Sequence, residues 1–403
     1  MATLPDGDPA PADGSLPAPD VPDGFAAYVH VPFCAVRCGY CDFNTYTNLA
    51  FGPGANLDDY AGSVAREIAL SAQVLDDDAT RPSLTSVFFG GGTPTMLSAE
   101  DLVSVLDELR STFGIREGAE VTTEANPETL TPEFIAALQA GGFTRVSVGM
   151  QSAVESVLAT LDRAHTPGQV ERVVGWLNEL AMEHSVDLIY GAPGETMDDW
   201  RASLEAAIAL NPPHISAYGL TIEDGTKMGA QLKRGEIAIP DSDELAAKYE
   251  LADELLSAAG YGWYEVSNWA KPGHESRHNS AYWENANWWG YGPGAHSHVN
   301  GTRFWNVKHP LAYATKVAAG ESPAAARELL TEAERAEEAI MLGIRMRDGI
   351  ATPDGVRPET IAGLIADGLV DPASAMRGRL VLTLTGRLLA DTVIRALWQD
   401  TDS

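Results

Sequence analysis

The sequence predicts an α/β fold: a partial, TIM-like (β/α)6 barrel followed by a smaller C-terminal module. Three observations carry this expectation. Short apolar runs at 26–31, 86–89, 120–123, 145–149, 186–190 and 214–218 alternate with helical patterns near 58–76, 98–112, 131–140, 167–183 and 198–210. Strand–helix repeats of about 30 residues imply parallel pairing with the helices outside. The chain has 403 residues, 45% of them hydrophobic, so it can bury a large core without cross-links. Its three cysteines fall within eight positions, which excludes a disulfide framework. Six units are fewer than the eight of a closed barrel, and an open barrel leaves a wide mouth for a large substrate.

The elements follow in order. Residues 1–24 hold six Pro, three Gly and five Asp with no Lys or Arg, and are expected to form a disordered tail. The barrel is expected over 25–220. Within it, Ser98 with Asp101 and Thr131-Pro132-Glu133 read as capped helix starts. After Tyr218 the rhythm breaks. An extension over 221–322 carries a helix near 243–259, a strand at 261–266 and a Trp- and Gly-rich stretch. A last section over 323–403 opens with the capping-box pair Thr331 and Glu334, ahead of Ala336, Ala339/Ile340 and Gly343/Ile344 on one helical face. A helix near 358–367, a strand at 380–384 and a helix at 386–397 complete a winged-helix-like module.

Charge narrows the function. Lys+Arg is 27 and Asp+Glu is 57, a net charge of −30, which disfavours nucleic acid and anionic membranes as partners. Residues 327–403 carry nine Arg against thirteen acidic residues, so the winged-helix-like end reads as a packing or partner-contact module. No apolar run reaches 18 residues, and no integral membrane segment is expected. The first basic residue is Arg37 and no signal peptide is visible, which points to a cytoplasmic address. In that reducing compartment clustered thiols bind metal or do redox chemistry.

The cluster Cys34-x3-Cys38-x2-Cys41 follows the first strand directly. Thiolates select soft metals. Structural zinc wants four ligands; no fourth cysteine exists, and His30 sits within the strand. A [4Fe–4S] cluster normally takes four cysteines, so three leave one iron open. Structural zinc and inert thiols are the competing readings.

Barrel chemistry sits on the loops after the strands. Strand two runs into Gly90-Gly91-Gly92-Thr93-Pro94, where glycines allow close backbone approach to a ligand. Strand three ends at Glu124-Ala-Asn126 and strand four at Gln151, with Arg163 beyond. Asp187 lies inside the apolar fifth strand, a costly position unless it is paired or ligand-bound; Arg163 is the candidate partner. Residues 278–298 combine His278, Asn279, Tyr282, Trp283, Trp288, Trp289, His296 and His298. His with Trp and Tyr faces could line a flat apolar ligand pocket with a coordinating nitrogen. The competing reading is aromatic core with hydrogen-bonded histidines. The Gly290-x-Gly292-x-Gly294 run lacks the flanking elements of a nucleotide-binding turn.

The cysteine spacing after strand one, within Tyr28-Val-His-Val-Pro-Phe-Cys34, resembles the radical S-adenosylmethionine (SAM) superfamily over about residues 26–400. That resemblance implies a [4Fe–4S] cluster on Cys34, Cys38 and Cys41, with SAM chelating the open iron and cleaved to a 5′-deoxyadenosyl radical. It implies Tyr28, Gly91 and Glu124 at one SAM. It places Tyr40, Gly92, Thr93, Gln151, Arg163 and Asp187 around a second SAM-sized site. The opening phrase is similar to one branch, the oxygen-independent coproporphyrinogen III oxidases and their haem-chaperone relatives. His278-Asn279-x-x-Tyr282-Trp283 resembles a motif typical of the chaperones and implies haem contact. Phe43 stands where the oxidases carry a fourth cysteine, and a disordered-looking acidic segment precedes strand one where the oxidases have a longer structured section. The resemblance therefore implies a chaperone that binds haem and passes it to an acceptor protein. The alternative is oxidative decarboxylation in porphyrin biosynthesis. A homodimer is compatible with the pattern and not forced by it.

Overall fold

A computed structural model describes residues 6–75 and 82–401. After a short strand β1 (Asp8–Pro9), the six expected strands form: β2 (Phe25–Val31), β3 (Leu84–Gly91), β4 (Ile115–Ala125), β5 (Arg145–Gln151), β6 (Glu183–Tyr190) and β7 (His214–Gly219). Helices α1 (Tyr60–Leu75), α2 (Ala99–Phe113), α3 (Pro132–Gly141), α4 (Glu155–Thr160), α5 (Pro167–Glu179) and α6 (Met197–Leu210) connect them. Ser98 accepts from the Asp101 amide and Thr131 from the Phe134 amide, so both caps read from the sequence are made. Next come α7 (Lys227–Lys233), α8 (Ser242–Ala258), β8 (Gly262–Glu265), β9 (Asn268–Ala270) and α9 (Arg277–Trp283). The Trp- and Gly-rich stretch folds as β10 (Trp288–Tyr291), β11 (His296–Val299) and β12 (Thr302–Asn306), then α10 (Pro310–Ala318) and β13 (Ala324–Leu329).

These thirteen strands make one sheet, ordered β1-β13-β12-β11-β10-β2-β3-β4-β5-β6-β7-β9-β8. From β10 to β7 every neighbour is parallel; the flanks are antiparallel. The two ends do not pair, so the barrel is partial. On the outer face, Val87, Phe89, Val146, Val148, Val186, Leu188 and Ile215 pack under helix residues such as Ile68, Leu102, Leu106, Val173 and Leu204. The inner face differs from an ordinary barrel, whose lumen is filled with bulky branched residues. The register aligns Thr122 with Arg145 and Glu183, Glu124 with Ser147, Ser185 and His214, and Gly149 with Asp187 and Ser216. The lumen is therefore polar in layers, and a polar lumen needs water or a ligand to satisfy it.

The C-terminal module is built from α11 (Glu332–Gly343), β14 (Ile350–Ala351), α12 (Pro358–Ala366), α13 (Pro372–Ala375), β15 (Arg379–Leu380), α14 (Leu384–Leu388) and α15 (Ala390–Thr401). It has its own core around Ile344, Leu364, Val370, Leu380, Val393 and Leu397. Arg387 ties it to the barrel extension through a two-pronged ion pair with Asp253, at 2.8 and 3.0 Å, beneath the Trp263 ring. No helix among the described residues is long and apolar enough to cross a membrane.

Three elements differ from the sequence-based expectation. Residues 6–24 are not a free tail: Asp8 and Pro9 pair with Arg327 and Ala326, Asn300 Nδ2 donates to the carbonyls of Ala18 and Asp20, and Val21 is buried. Composition measures the apolar surface a segment can bury and is blind to the backbone hydrogen bonds an edge strand offers it. Helix α5 stops at Glu179, because Ala181 turns the chain through φ 51° into β6. In the C-terminal module the strand at 380–384 ends early. Thr383 caps α14, and α14 and α15 replace one continuous helix.

Candidate active site in the barrel mouth

A cavity of about 580 Å³ opens among the C-terminal ends of the parallel strands and descends into the polar lumen. It brings together Tyr28, Cys34, Cys38, Tyr40, Cys41, Gly91, Gly92, Thr93, Glu124, Gln151, Arg163, Asp187, His278, Asn279 and Tyr282. Trp283 is not on its wall; the indole lies at the Glu265 carboxylate.

The three thiols are free and share one loop. Burial pushes Cys34 up to about 11 and also raises Cys41, so neither ionises readily without a cation beside it. Thiols of this kind suit a metal that supplies the compensating charge. Among the described residues no three ligand side chains converge on one ion-sized point. A cluster asks for a different layout, with each thiolate on its own iron. Cys34, Cys38 and Cys41 all line the same cavity and are the candidates for such ligands.

The loop is held from several sides. The Cys34 amide donates to the Tyr46 carbonyl at 3.0 Å, and the Tyr46 amide to Pro32 at 2.7 Å. Asn44 Nδ2 donates to the carbonyls of Pro293 and Lys308, both at 2.9 Å. This explains the glycine run at 290–294. A Cβ on Gly294 would sit 2.6 Å from the Asn44 amide, and one on Gly292 would sit 2.6 Å from the His30 carbonyl. The glycines permit close packing against the cysteine loop. His30 is buried, with Nε2 donating to the Asn44 carbonyl and Nδ1 facing the Tyr28 hydroxyl, so it is committed to structure.

At the end of β3 the Gly92 amide donates to Val31 at 2.7 Å and the Thr93 amide to Phe33 at 2.8 Å, fixing the glycine run against the same loop. Glu124 accepts from the Gly91 amide at 3.0 Å; burial, then Asp187, pushes its carboxyl up to about 8. Burial also raises Asp187, which accepts from Ser147 at 2.5 Å. The candidate pair Arg163–Asp187 does not form. Arg163 reaches Asn126 Oδ1 at 2.8 Å, the Gly149 carbonyl at 3.2 Å and Cys38 Sγ at 3.5 Å. A Cβ on Gly149 would meet Gln151 Nε2 at 2.7 Å and Arg163 at 3.0 Å, so a side chain there would displace the ends of those two residues. Among the described residues neither carboxyl forms an ion pair, and Gly91 at φ 109° holds a backbone conformation that favours glycine; together they suit a ligand carrying an ammonium and ribose hydroxyls. SAM has both.

His278 sits deep, 1% exposed. Its Nδ1 meets Ser86 Oγ and its Nε2 the Tyr282 hydroxyl, both at 2.9 Å, with the ring stacked on Phe88. Burial pulls the imidazole down to about 3. Neutral and bonded at both nitrogens, it has no lone pair left for iron in this arrangement. It shapes the wall.

Comparison with known proteins places this geometry. Residues 28–207 match the radical SAM superfamily. The chain is 46% identical over 392 residues to the heme chaperone HemW of Mycobacterium tuberculosis, covering 96% of this chain and 98% of that one. It is 32% identical over 383 residues to the HemW of Bacillus subtilis, covering 92% and 98%. The chain belongs to the HemW family of the radical SAM superfamily. Among solved structures it is similar to the coproporphyrinogen III oxidase HemN of Escherichia coli. That likeness has a TM-score of 0.78 at 20% identity, covers 94% of this chain and 91% of that one, and extends to the fold alone.

Sequence reasoning missed several parts of the site. Asn126 bridges Arg163 to Thr93, Ser147 holds Asp187, and Ser86 holds His278. The alternation of Ser147 and Asp187 with apolar residues along two strands was the available signal.

Proposed function

We propose that this protein is a cytoplasmic haem chaperone. It holds a [4Fe–4S] cluster on Cys34, Cys38 and Cys41 with SAM beside it, and it takes haem as cargo for an acceptor protein. The observation that carries the reading is near-full-length identity to proteins named heme chaperones, together with one cavity that gathers the three thiols and the SAM-suited wall. When bound, the cluster and SAM supply one-electron chemistry. The chain's own part is binding and orientation. The thiols ligate. Gly91 and Gly92 present backbone to the SAM ammonium. Glu124 accepts from the Gly91 amide and faces the same wall. Asp187 and Gln151 face the ribose end, and Arg163 spans Cys38 and Asn126.

Haem is taken up in the cavity, with His278, Asn279 and Tyr282 forming its deep wall and the axial ligand supplied by another group than His278. Nucleic acid is not a partner of so acidic a chain. Any homodimer is secondary to the site.

The test is anaerobic reconstitution followed by haem titration and transfer to an apo-haem protein. About four irons per chain and saturable haem uptake are expected. Tight zinc binding without a cluster spectrum, or no haem uptake, refutes the proposal. The fold of the oxidase favours one alternative, coproporphyrinogen III oxidation. Turnover of that substrate with SAM and a reductant would establish it.

A further inference from the structure

Each cysteine sulfur has its own hydroxyl or guanidinium neighbour, supplied by a different part of the chain. Thr93 Oγ1 lies 3.8 Å from Cys34 Sγ, Arg163 Nη1 lies 3.5 Å from Cys38 Sγ, and Thr45 Oγ1 lies 3.8 Å from Cys41 Sγ. Thr93 and Arg163 also face the SAM wall. Thr45 is buried at 2% exposure and does not line the cavity. Its backbone is fixed before any metal arrives. Asn44 on one side is tied to Pro293 and Lys308, and Tyr46 on the other is tied to Pro32, Cys34 and Lys308.

A hydroxyl held there has little freedom to turn elsewhere. Once Cys41 is a thiolate it is acceptor-only, so the proton of the pair must come from Thr45. Hydrogen bonds to cluster sulfurs favour the more negative, reduced cluster and are one of the levers that set its potential.

We infer that Thr45 is a positioning residue that donates to the Cys41 thiolate and raises the reduction potential of the cluster. The inference rests on the cluster reading above. The step concerned is a one-electron reduction: an external reductant gives one electron to the cluster, no bond is made or broken, and the added charge is partly carried by the sulfurs.

The experiment reconstitutes wild type, Thr45→Val and Thr45→Ser anaerobically. It measures iron per chain, and then the midpoint potential in a dithionite titration followed by absorbance and electron paramagnetic resonance. Valine keeps the shape and removes the donor; serine keeps the donor. The expected result is about four irons in all three. The equilibrium constant for reduction should be three- to tenfold lower in Thr45→Val, roughly 30–60 mV more negative, with Thr45→Ser within twofold of wild type. A Thr45→Val potential equal to wild type overturns the inference, as does a Thr45→Ser potential displaced as far as valine's. Should Thr45→Val fail to keep its iron, the rate of iron loss to a chelator decides. Serine as stable as wild type supports the assignment, and serine as labile as valine overturns it. Absence of a cluster in wild type removes the cluster reading itself, a separate outcome.

Discussion

Glu67, on α1, is 1% exposed and forms no ion pair among the described residues. It accepts from Asn306 Nδ2 at 2.7 Å, the Gly292 amide at 2.8 Å and the Tyr313 hydroxyl at 2.6 Å, and so binds α1 to the glycine run that supports the cysteine loop. Burial outweighs these bonds and pushes its pKa up from 4.5 to about 7. A carboxyl that holds its proton more tightly folded than unfolded stabilises the fold at low pH. That stability is full below about pH 4.5 and is lost as pH rises through about 7. Integrating the two titrations gives a loss of about 2 kcal/mol between pH 5.5 and 8.5. Glu67→Gln removes the ionisation and leaves the shape. Urea midpoints measured across that range should fall with pH in wild type by about 2 kcal/mol more than in the variant. Parallel slopes in the two proteins would refute the argument, whatever their offset.

Three further outcomes follow from the geometry. Gly92→Ala forces a Cβ to 2.6 Å from the Phe33 carbonyl and 3.0 Å from Cys34 Sγ. It should cost about 1–3 kcal/mol and cut iron incorporation; unchanged iron per chain would contradict the packing described. Arg387→Met leaves the part-buried Asp253 without its ion pair and should lower stability by about 2–3 kcal/mol, read as earlier melting and faster proteolysis of the C-terminal module. Identical melting would show that the clamp is idle. His278→Ala loses two hydrogen bonds and a stacked ring, about 2–4 kcal/mol, while the Soret position of the haem-loaded protein stays put. A displaced Soret band would make His278 the ligand after all.

The barrel was legible because its strands carry short stretches of β-branched and apolar residues bounded by helical periodicity, and the cysteines because their spacing has few uses. The inward-facing polar residues were harder. Ser147, Ser185 and Ser216 look like ordinary interruptions until the register stacks them beside Asp187 and His214. Trp283 was expected at the ligand from its place beside Tyr282. One step along a short helix turns a side chain through about 100°, here onto Glu265. The N-terminal residues were misjudged because edge pairing to β13 depends on partners more than 300 positions away. Asn44 has the same character: nothing near it in the chain announces Pro293 or Lys308.

That last contact also fixes an order of events during synthesis. The two carbonyls that steady the cysteine loop are 249 and 264 residues downstream of Asn44. At about 5–20 residues per second a ribosome needs roughly 13–50 s to make the longer stretch, and the last residues must still clear the exit tunnel. All six barrel strands are complete well before Lys308 is added. In that interval the cysteine loop lacks these two downstream anchors and keeps its bonds among Pro32, Cys34, Tyr46 and the end of β3. A truncated translation product ending before residue 293 should therefore carry the three cysteines on a loop that lacks both of these anchors.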